Sequence, residues 1–578
     1  MQVYLEAIKF NHDPDSATAD AFNIRRNETE VVHVPEWRRG VSVKPEDSPA
    51  AYARDALQGR TPTIKAKFSF VGFDSAIKTI RIRALDGRLT PKLNYKESSK
   101  LLVELLQPVL REALSDNVLG TVMEREVRLT GGPEFEIFNL EHVRIASAGV
   151  SASDVIWRWQ FRTDSTDWID FATTAHRVFT VLALPTLPWQ QKPPAGDDTQ
   201  LPWAEVLDYA CRWAAGAADV DEAATLVTKA VNGLGPTLVR YDSTNGGSTG
   251  FTTNSPPAFD CTDFLLRLRD QSNRHGQGVA CDDCAAFVAS FANVLGCDLF
   301  ESGMDNGNGD MPLNPHLRIG LESLLTSDFG HHTVAWKGSC GEDDKLFDAC
   351  LQLDSDEFPS EPEHPLFVPA NIRFGRINEH LYRFRLVTDP TQCRPNGVKR
   401  RLRIAPIVVE EFGTTLDRIV EFLGENGARP DDETKLVINF FRSKLFTKVD
   451  VMGWHFLNYR FIVDTDTRFS IQSFWRHANE GNAALRVDVH ATPSGPDAKK
   501  KLDLLLSSYH LRDIVQQKAD FGDVVFAVPT NFAIVFASGD FVFQLRNTGE
   551  RPVSCENLAR FIDSLVTGEF DPTKLDLV

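Results

Sequence analysis

Residues 276–300 read GQGVACDDCAAFVASFANVLGCDLF, a stretch in which two cysteines stand where a loop becomes a helix. Small and apolar residues recur at helical spacing after Cys281 on two faces, which predicts a mostly buried helix that Gly296 ends. Cys281 then lies at or just before the first turn, where unpaired backbone N–H groups and the helix dipole favour a thiolate. The carboxylates of Asp282 and Asp283 oppose that thiolate, so a nucleophilic Cys281 requires an imidazole partner.

A histidine and an aspartate follow about 50 residues later, in DFGHHTVAWKGSCGEDDKLFDACLQLD, residues 328–354. Residues 331–337 and 345–351 read as two strands around a polar turn. In a hairpin centred on Cys340, His332 faces Asp348 and the two side chains meet, while His331 points to the other face. This register is an assumption, because a slip of one residue changes every pair. A cysteine at a helix start, a histidine and an aspartate predict a nucleophile, a base and an orienting group.

The helix segment resembles the transglutaminase-like superfamily, whose papain-related fold carries Cys, His and Asp in that chain order. The matching positions are Cys281, Asp283, Ala285, Leu295 and Gly296. By this match Cys281, rather than Cys284, takes the place of the nucleophile. The resemblance covers roughly residues 200–355, and the flanking regions are similar to those of bacterial multidomain proteins that carry this core.

The two strand segments are similar to the same superfamily at His332, Trp336 and Asp348. The family usually places its tryptophan two residues after the histidine, where this chain has Val334. The proline that often follows the aspartate is also missing here.

The resemblance implies thiol chemistry on the amide or ester carbonyls of a protein or peptide substrate. Cys281 would attack, His332 would carry the proton, and Asp348 would orient the imidazole. Water would release the acyl group in a peptidase or amidase, and an amine would accept it in a cross-linking enzyme. The oxyanion hole would use the backbone N–H of Cys281 and one more donor, for which Gln277 is a candidate. The triad requires no metal and no cofactor.

Three other interpretations remain open at this stage. A transglutaminase-like core without activity would make the chain a binding or assembly protein. A structural zinc site would use Cys281 and Cys284 with Cys340, Cys350 or His331. A disulfide between Cys281 and Cys284 would lie across the first helical turn, which a reducing compartment disfavours.

Composition narrows the classes of partner. The 578 residues carry a formal net charge of -18, which argues against a general nucleic-acid binder and against docking on anionic membranes. The first residues, MQVYLEAIKFNHDPD, show neither a basic nor an apolar leader region, and no apolar run approaches 18 residues. With nine scattered cysteines, an odd number, the expected location is the reducing cytoplasm, without membrane insertion.

The chain is expected to be an α+β multidomain protein. Residues 1–190 alternate like strands and predict a β-rich, sandwich-like region, in which the tryptophans of VIWRWQF are expected in the core. One helix, at residues 96–116, interrupts them. A proline-rich linker then leads to the transglutaminase-like domain, 200–395. Residues 400–578 predict a mixed α/β domain with a helix at 416–428 and a turn at 538–540. The flanking domains are expected to offer surfaces for protein partners.

Overall fold

The computed structural model describes most of the chain. The described residues are 2–12, 18–72, 77–88, 117–129, 134–191, 200–243, 250–254, 257–269, 273, 275–307, 309–326, 328–355, 365–404, 408–410, 431–446, 451–462, 467–480, 483–506, 509, 514–549 and 551–568. They form two compact units, one of Met1–Pro193, Gln200–Val227 and Phe291–Asp298, the other of Pro194–Thr199, Thr228–Ser290 and Leu299–Val578. Helices and strands are both abundant, which confirms the predicted α+β class. The helices predicted at 96–116 and 416–428 lie outside the described residues.

The first unit is built on ten strands that hydrogen-bond into a single sheet, in the order β3-β1-β5-β8-β7-β6-β9-β10-β4 with β2 beside β5. The strands are β1 Gln2–Lys9, β2 Thr18–Ala19, β3 Trp37–Arg38, β4 Pro49–Ala53, β5 Thr61–Val71, β6 Thr79–Asp86, β7 Thr121–Arg128, β8 Phe135–Glu141, β9 Ser151–Arg162 and β10 Ile169–Val181. Alternate residues of β9 are buried because successive side chains of a strand point to opposite faces. Trp157 and Trp159 are fully buried, so the prediction that they belong to the core is confirmed.

The described α-helices share an amphipathic or fully buried character, which tertiary packing stabilises more than intrinsic propensity does. They are α1 Ala204–Trp213, α2 Val220–Asn232, α3 Cys261–Leu268, α4 Cys281–Asn293, α5 Tyr382–Leu386, α6 Asp432–Lys444, α7 Gly495–Leu506 and α8 Glu556–Gly568. None of the helices in the described part of the chain is both long enough and apolar enough to cross a lipid bilayer.

The second unit contains the remaining strands, most of them short before residue 410 and longer after it. They are β11 Arg240–Tyr241, β12 Thr252–Asn254, β13 Pro257–Phe259, β14 Gly278–Val279, β15 Phe300–Asp305, β16 Met311–Pro312, β17 Leu317–Arg318, β18 Asp328–Phe329, β19 His331–Trp336, β20 Lys345–Phe347, β21 Leu351–Asp354, β22 Leu366–Phe367, β23 Ala370–Arg373, β24 Arg394–Pro395, β25 Arg403–Ile404, β26 Val408–Glu410, β27 Trp454–Ile462, β28 Phe469–His477, β29 Ala484–Ala491, β30 Val515–Gln517, β31 Val524–Ala527, β32 Ala533–Ser538 and β33 Phe541–Asn547.

A five-stranded sheet, ordered β23-β20-β19-β15-β24, positions the candidate site. β15 and β19 are antiparallel, with Asp305 opposite His331 and Gly303 opposite Thr333. Because side chains alternate along a strand, His331 and Thr333 share one face of this sheet and His332 lies on the other.

The last part of the chain forms an eight-stranded sheet, β26-β27-β28-β29-β33-β32-β31-β30. One face packs against α6 and α8, and the other packs against α7. The turn expected at residues 538–540 is present: Ser538 pairs with Phe541 and Gly539 has a φ of 57°. Two buried arginines of this sheet, Arg486 and Arg546, reach the region around the cysteine helix.

Candidate active site

Cys281 is the first residue of helix α4 and is only 2% exposed. Its Sγ, a carboxylate oxygen of Asp282 and a ring nitrogen of His331 all lie within 4.8 Å of one another. The histidine that contacts the cysteine is therefore His331, the neighbour of the residue that the sequence pattern favoured.

His331 contacts both members of this cluster and keeps part of its ring accessible. Its Nε2 lies 3.5 Å from Oδ2 of Asp282, and 24% of its side chain is exposed. Burial opposes the charged imidazolium, but hydrogen bonds with Asp282 and Cys281 outweigh it and raise the pKa of His331 to about 10. The ring is therefore protonated at neutral pH and can donate a proton.

Asp282 is held from its other side by Arg400. Nη2 of Arg400 donates to Oδ1 of Asp282 over 2.7 Å. Burial works against the carboxylate, yet hydrogen bonds from His331 and Thr333 and the charge of Arg400 hold the pKa of Asp282 well below its usual range. Glu301 is bridged to Arg400 through backbone hydrogen bonds, and burial raises the pKa of Glu301 to about 8. Of the two buried acids beside Arg400, Asp282 is thus the ionised one at neutral pH.

The Cys281 thiol experiences opposing influences. Burial and the negative charge of Asp282 raise its pKa, while the hydrogen bond from His331 lowers it. The net direction is upward, so at neutral pH the thiol is mostly protonated and its ionisation depends on the neighbouring imidazolium.

The sequence-predicted pair His332 and Asp348 is also brought together, on the opposite face of β19. Nε2 of His332 lies 2.9 Å from Oδ2 of Asp348, and Tyr382 donates its hydroxyl to the same oxygen over 2.8 Å. His332 is fully buried, and its Nδ1 has no hydrogen-bond partner among the described residues. Burial lowers the pKa of His332 and Asp348 raises it, with a net upward direction.

The hairpin register differs from the expected one by two residues. Trp336 pairs with Leu346 rather than with Asp344. Asp348 still reaches His332 because it follows the end of β20, where its Oδ1 accepts hydrogen bonds from the backbone of Cys350 and Leu351. The carboxylate therefore closes a turn and orients the imidazole at the same time.

The other residues singled out in the sequence have separate surroundings. The backbone carbonyl of Gln277 accepts from Arg240, and its side chain is partly exposed. Trp336 is buried and donates its indole N–H to the carbonyl of Ser302 over 2.9 Å. The thiols of Cys284 and Cys350 contact each other, so Cys284 does not join the group formed by Cys281. All nine cysteines are free thiols.

Asp283 fixes the start of helix α4. Its carboxylate accepts hydrogen bonds from the backbone N–H groups of Gly250, Phe251, Thr252 and Ala280, and from the Thr252 hydroxyl. The bond to Ala280 is the side-chain half of a capping box, which satisfies a donor that the helix leaves unpaired.

The loop that Asp283 holds is also anchored by the C-terminal sheet. Arg486 and Arg546 both donate to the carbonyl of Gly250, at 2.8 and 2.9 Å. Arg486 also pairs with Asp488 and with Nδ1 of His275. The surroundings of Cys281 therefore include residues from far beyond the expected 200–395 domain.

A cavity of about 630 Å³ opens beside the cluster. Its walls include Asp282, His331, Thr333 and Arg400, all from the cluster and its immediate support. Four glycines also line it: Gly303, Gly307, Gly309 and Gly330. Where these glycines line the cavity, no side chain projects into it, which favours access to His331 from that side.

Solved structures that are similar to this chain include a transglutaminase. Red sea bream transglutaminase matches 94% of this chain and 80% of its own chain, at 9% sequence identity and a TM-score of 0.30. No protein-family model and no curated protein sequence matches the chain.

The triad predicted from the sequence omitted three contributors to the cluster, His331, Asp282 and Arg400. The prediction placed His331 on the sheet face opposite to His332, and the structure agrees. The unexpected finding is that Cys281 contacts the face that carries His331. Asp282 was expected to stabilise the helix start and to oppose the thiolate, but not to hold a histidine. Arg400, more than a hundred residues from Cys281, carries no local signal, because only the folded sheet brings it to Asp282.

Proposed function

We propose that this protein is a cysteine-dependent hydrolase or acyltransferase that acts on amide bonds of proteins or peptides. Cys281 is the nucleophile and His331 is its proton-transfer partner. The proposal rests on one observation: the Cys281 thiol, at the start of a helix, contacts the imidazole of His331. That imidazole also lines the cavity.

The chemistry follows from the charges around these groups. The Cys281 thiol first releases its proton to water, and the resulting thiolate, stabilised by the adjacent imidazolium, attacks the carbonyl carbon of the substrate. His331 then gives its proton to the departing amine, which leaves a thioester on Cys281. Water or a second amine attacks the thioester, and His331 takes up the proton that this nucleophile releases. Asp282 holds the ring of His331, and Arg400 holds Asp282.

The pair His332 and Asp348 remains the alternative source of the base. It has the arrangement of an imidazole oriented by a carboxylate, with one ring nitrogen left over. Its full burial and its place on the other sheet face favour a structural role next to Tyr382. Separate substitution of the two neighbouring histidines distinguishes these roles.

A second candidate function is a binding or assembly protein with an inactive core. The burial of Cys281 and the upward direction of its pKa favour this candidate, because a nucleophilic cysteine is usually acidic and accessible.

The test is alkylation of the full-length protein by iodoacetamide at several pH values, with the modified cysteines mapped by mass spectrometry. Cys297, equally buried but outside the cluster, is the internal control. We expect Cys281 to react at least tenfold faster than Cys297, and His331→Ala to remove this difference while His332→Ala keeps it. Equal rates for Cys281 and Cys297 in the unmodified protein would favour the binding function. If only His332→Ala lost the reactivity of Cys281, His332 would be identified as the base.

The reaction type is tested with a denatured protein substrate, with and without a fluorescent primary amine. Peptide release without the amine indicates hydrolysis, and incorporation of the amine indicates acyl transfer. Cys281→Ser must abolish either signal.

A further inference from the structure

We infer that the cluster of Cys281, Asp282 and His331 is a binding site for one Zn²⁺ ion, and that zinc blocks the thiol chemistry of this site. The blocking effect rests on the proposed function, whereas the binding itself does not. The inference differs from a zinc site built on the Cys281-x-x-Cys284 spacing, because Cys284 lies outside the cluster and contacts Cys350.

The donor atoms suit zinc by type. A thiolate, an imidazole nitrogen and a carboxylate oxygen are the three side-chain donors that zinc takes in proteins. Ca²⁺ and Mg²⁺ prefer oxygen donors alone, so the sulfur and the imidazole select against them.

The geometry suits a tetrahedral ion. The three donor atoms lie within 4.8 Å of one another. Bond lengths of 2.0–2.3 Å place the donors of a tetrahedral zinc site roughly 3.3–3.7 Å apart, so side-chain rotation alone can close the cluster on an ion. Cys281 and Asp282 are buried and the backbone between them is fixed in the first turn of α4, which limits the freedom that binding must remove.

The surroundings provide both support and access. Arg400 binds Oδ1 of Asp282 and leaves Oδ2, the atom that faces His331, in the position of the ligand. Such contacts behind a ligand orient it and strengthen metal binding. The cavity lined by Asp282 and His331 gives the ion an entry path and a place for a water molecule as fourth ligand.

The described residues contain one other group of this kind, Asp260, Asp263 and His275, and it lacks these properties. Nε2 of His275 already pairs with Asp260 at 2.8 Å, and Arg486 donates to its Nδ1. Both ring nitrogens are therefore engaged, and neither is left to bind a metal. This group is a completed hydrogen-bond network.

The binding step balances in protons. The Sγ–H bond of Cys281 breaks, a sulfur–zinc bond forms, and the proton goes to water; His331 likewise binds as neutral imidazole and releases its ring proton. A sulfur lone pair that is shared with zinc is not available to attack a carbonyl. Removal of the ion restores the thiol.

The experiment is a titration of the chelator-treated, full-length protein with Zn²⁺ against a chromophoric competitor. We expect one zinc per chain, and binding weaker by about a hundredfold or more in Cys281→Ser and in Asp282→Asn. Cys284→Ser is the matched control, because this thiol lies one turn further along the same helix, and it should bind as the unmodified protein does. Replacement of zinc by Co²⁺ should give a thiolate-to-cobalt charge-transfer band that is absent from Cys281→Ser.

Absence of stoichiometric binding, equal binding in Cys281→Ser, or loss of binding in Cys284→Ser would each overturn the inference. Circular dichroism of every variant separates lost binding from lost folding, and the cobalt band identifies the ligand in the unmodified protein without any substitution. Iodoacetamide labelling of the metal-free protein tests the proposed function independently. If Cys281 is unreactive there but still binds zinc, the proposed function fails and the metal site stands.

Discussion

His331 and His332 are adjacent in strand β19, yet their side chains lie on opposite faces of the sheet and have different partners. His331 faces Cys281, Asp282 and the cavity, whereas His332 is enclosed with Asp348 and Tyr382. The alternation of a β-strand thus separates an imidazole that can reach a substrate from one that is fully buried.

Asp282→Asn should lower the pKa of His331. The wild-type value of about 10 reflects the balance between burial, which lowers it, and contacts with Asp282 and Cys281, which raise it. Without the carboxylate charge, less remains to offset the effect of burial, so the pKa of His331 should fall by at least one unit. Titration of isotope-labelled histidines by NMR measures this, with His331→Gln to assign the resonance. An unchanged pKa would show that Asp282 does not stabilise the imidazolium.

Arg400→Met should destabilise the protein by about 2–4 kcal/mol, since the buried Asp282 carboxylate would lose one of its two cationic partners and keep only His331. The expected loss is below that of a fully buried pair because 27% of the Arg400 side chain is exposed. Urea unfolding measures the change. Arg376→Met, which removes an exposed ion pair with Asp343, is the control and should leave stability unchanged. Equal behaviour of the two variants would contradict the importance of the buried pair.

Asp283→Ala should be more damaging than any exposed acidic substitution. It removes the acceptor for four buried backbone N–H groups, each of which costs about 1–3 kcal/mol when left unsatisfied. We expect a loss of about 4 kcal/mol or more in the free energy of unfolding. Asp432→Ala, whose side chain is 81% exposed in the first turn of α6, should have little effect. Thermal unfolding followed by calorimetry compares the two, and similar melting temperatures would refute the capping role.

Glu36 should make the first unit less stable as the pH rises from about 4.5 to about 7. Burial raises the pKa of Glu36 to about 7, although the backbone N–H groups of Asn11 and Phe10 partly oppose this. The sign follows from linkage: both states are protonated below pH 4.5, and above it the unfolded chain ionises first, so stability is lost until the folded pKa is passed. The loss amounts to at most about 3 kcal/mol.

Glu36→Gln should remove most of this pH dependence. Urea unfolding at pH 5 and pH 8 measures the change in stability. Hydrogen exchange of peptides from residues 2–12 reports on Phe10 and Asn11, which follow β1 and donate to Glu36. A pH dependence that persists in Glu36→Gln would assign the effect to another group.

The sequence predicted the cysteine helix well because its signals are local. Apolar spacing, the position of Gly296 and the cysteine at the start all act within a few turns, and α4 begins at Cys281 as expected. The hairpin turn at Gly539 and the buried tryptophans of β9 were predictable for the same reason. Each depends on residues close together in the chain.

The composition of the cluster was not predictable in this way. The expected partner of Cys281 was His332, and its orientation by Asp348 is present in the structure, but the contact of Cys281 with His331 depends on how α4 meets the sheet. Arg400 reaches Asp282 through an isolated bridge between Glu301 and Arg400, which no periodicity reveals. Long-range packing decides such contacts, and a single sequence carries little information about it.

The two arginines on the carbonyl of Gly250 have a consequence for how the protein is made. Gly250 and Arg546 are separated by 296 positions, so the second anchor is translated long after the loop itself. While the residues between Cys281 and Arg546 are being translated, the nascent chain therefore carries Cys281 without the completed surroundings that hold it. The thiol becomes part of a finished site only after Arg546 has been translated, so fragments released before that point lack the site.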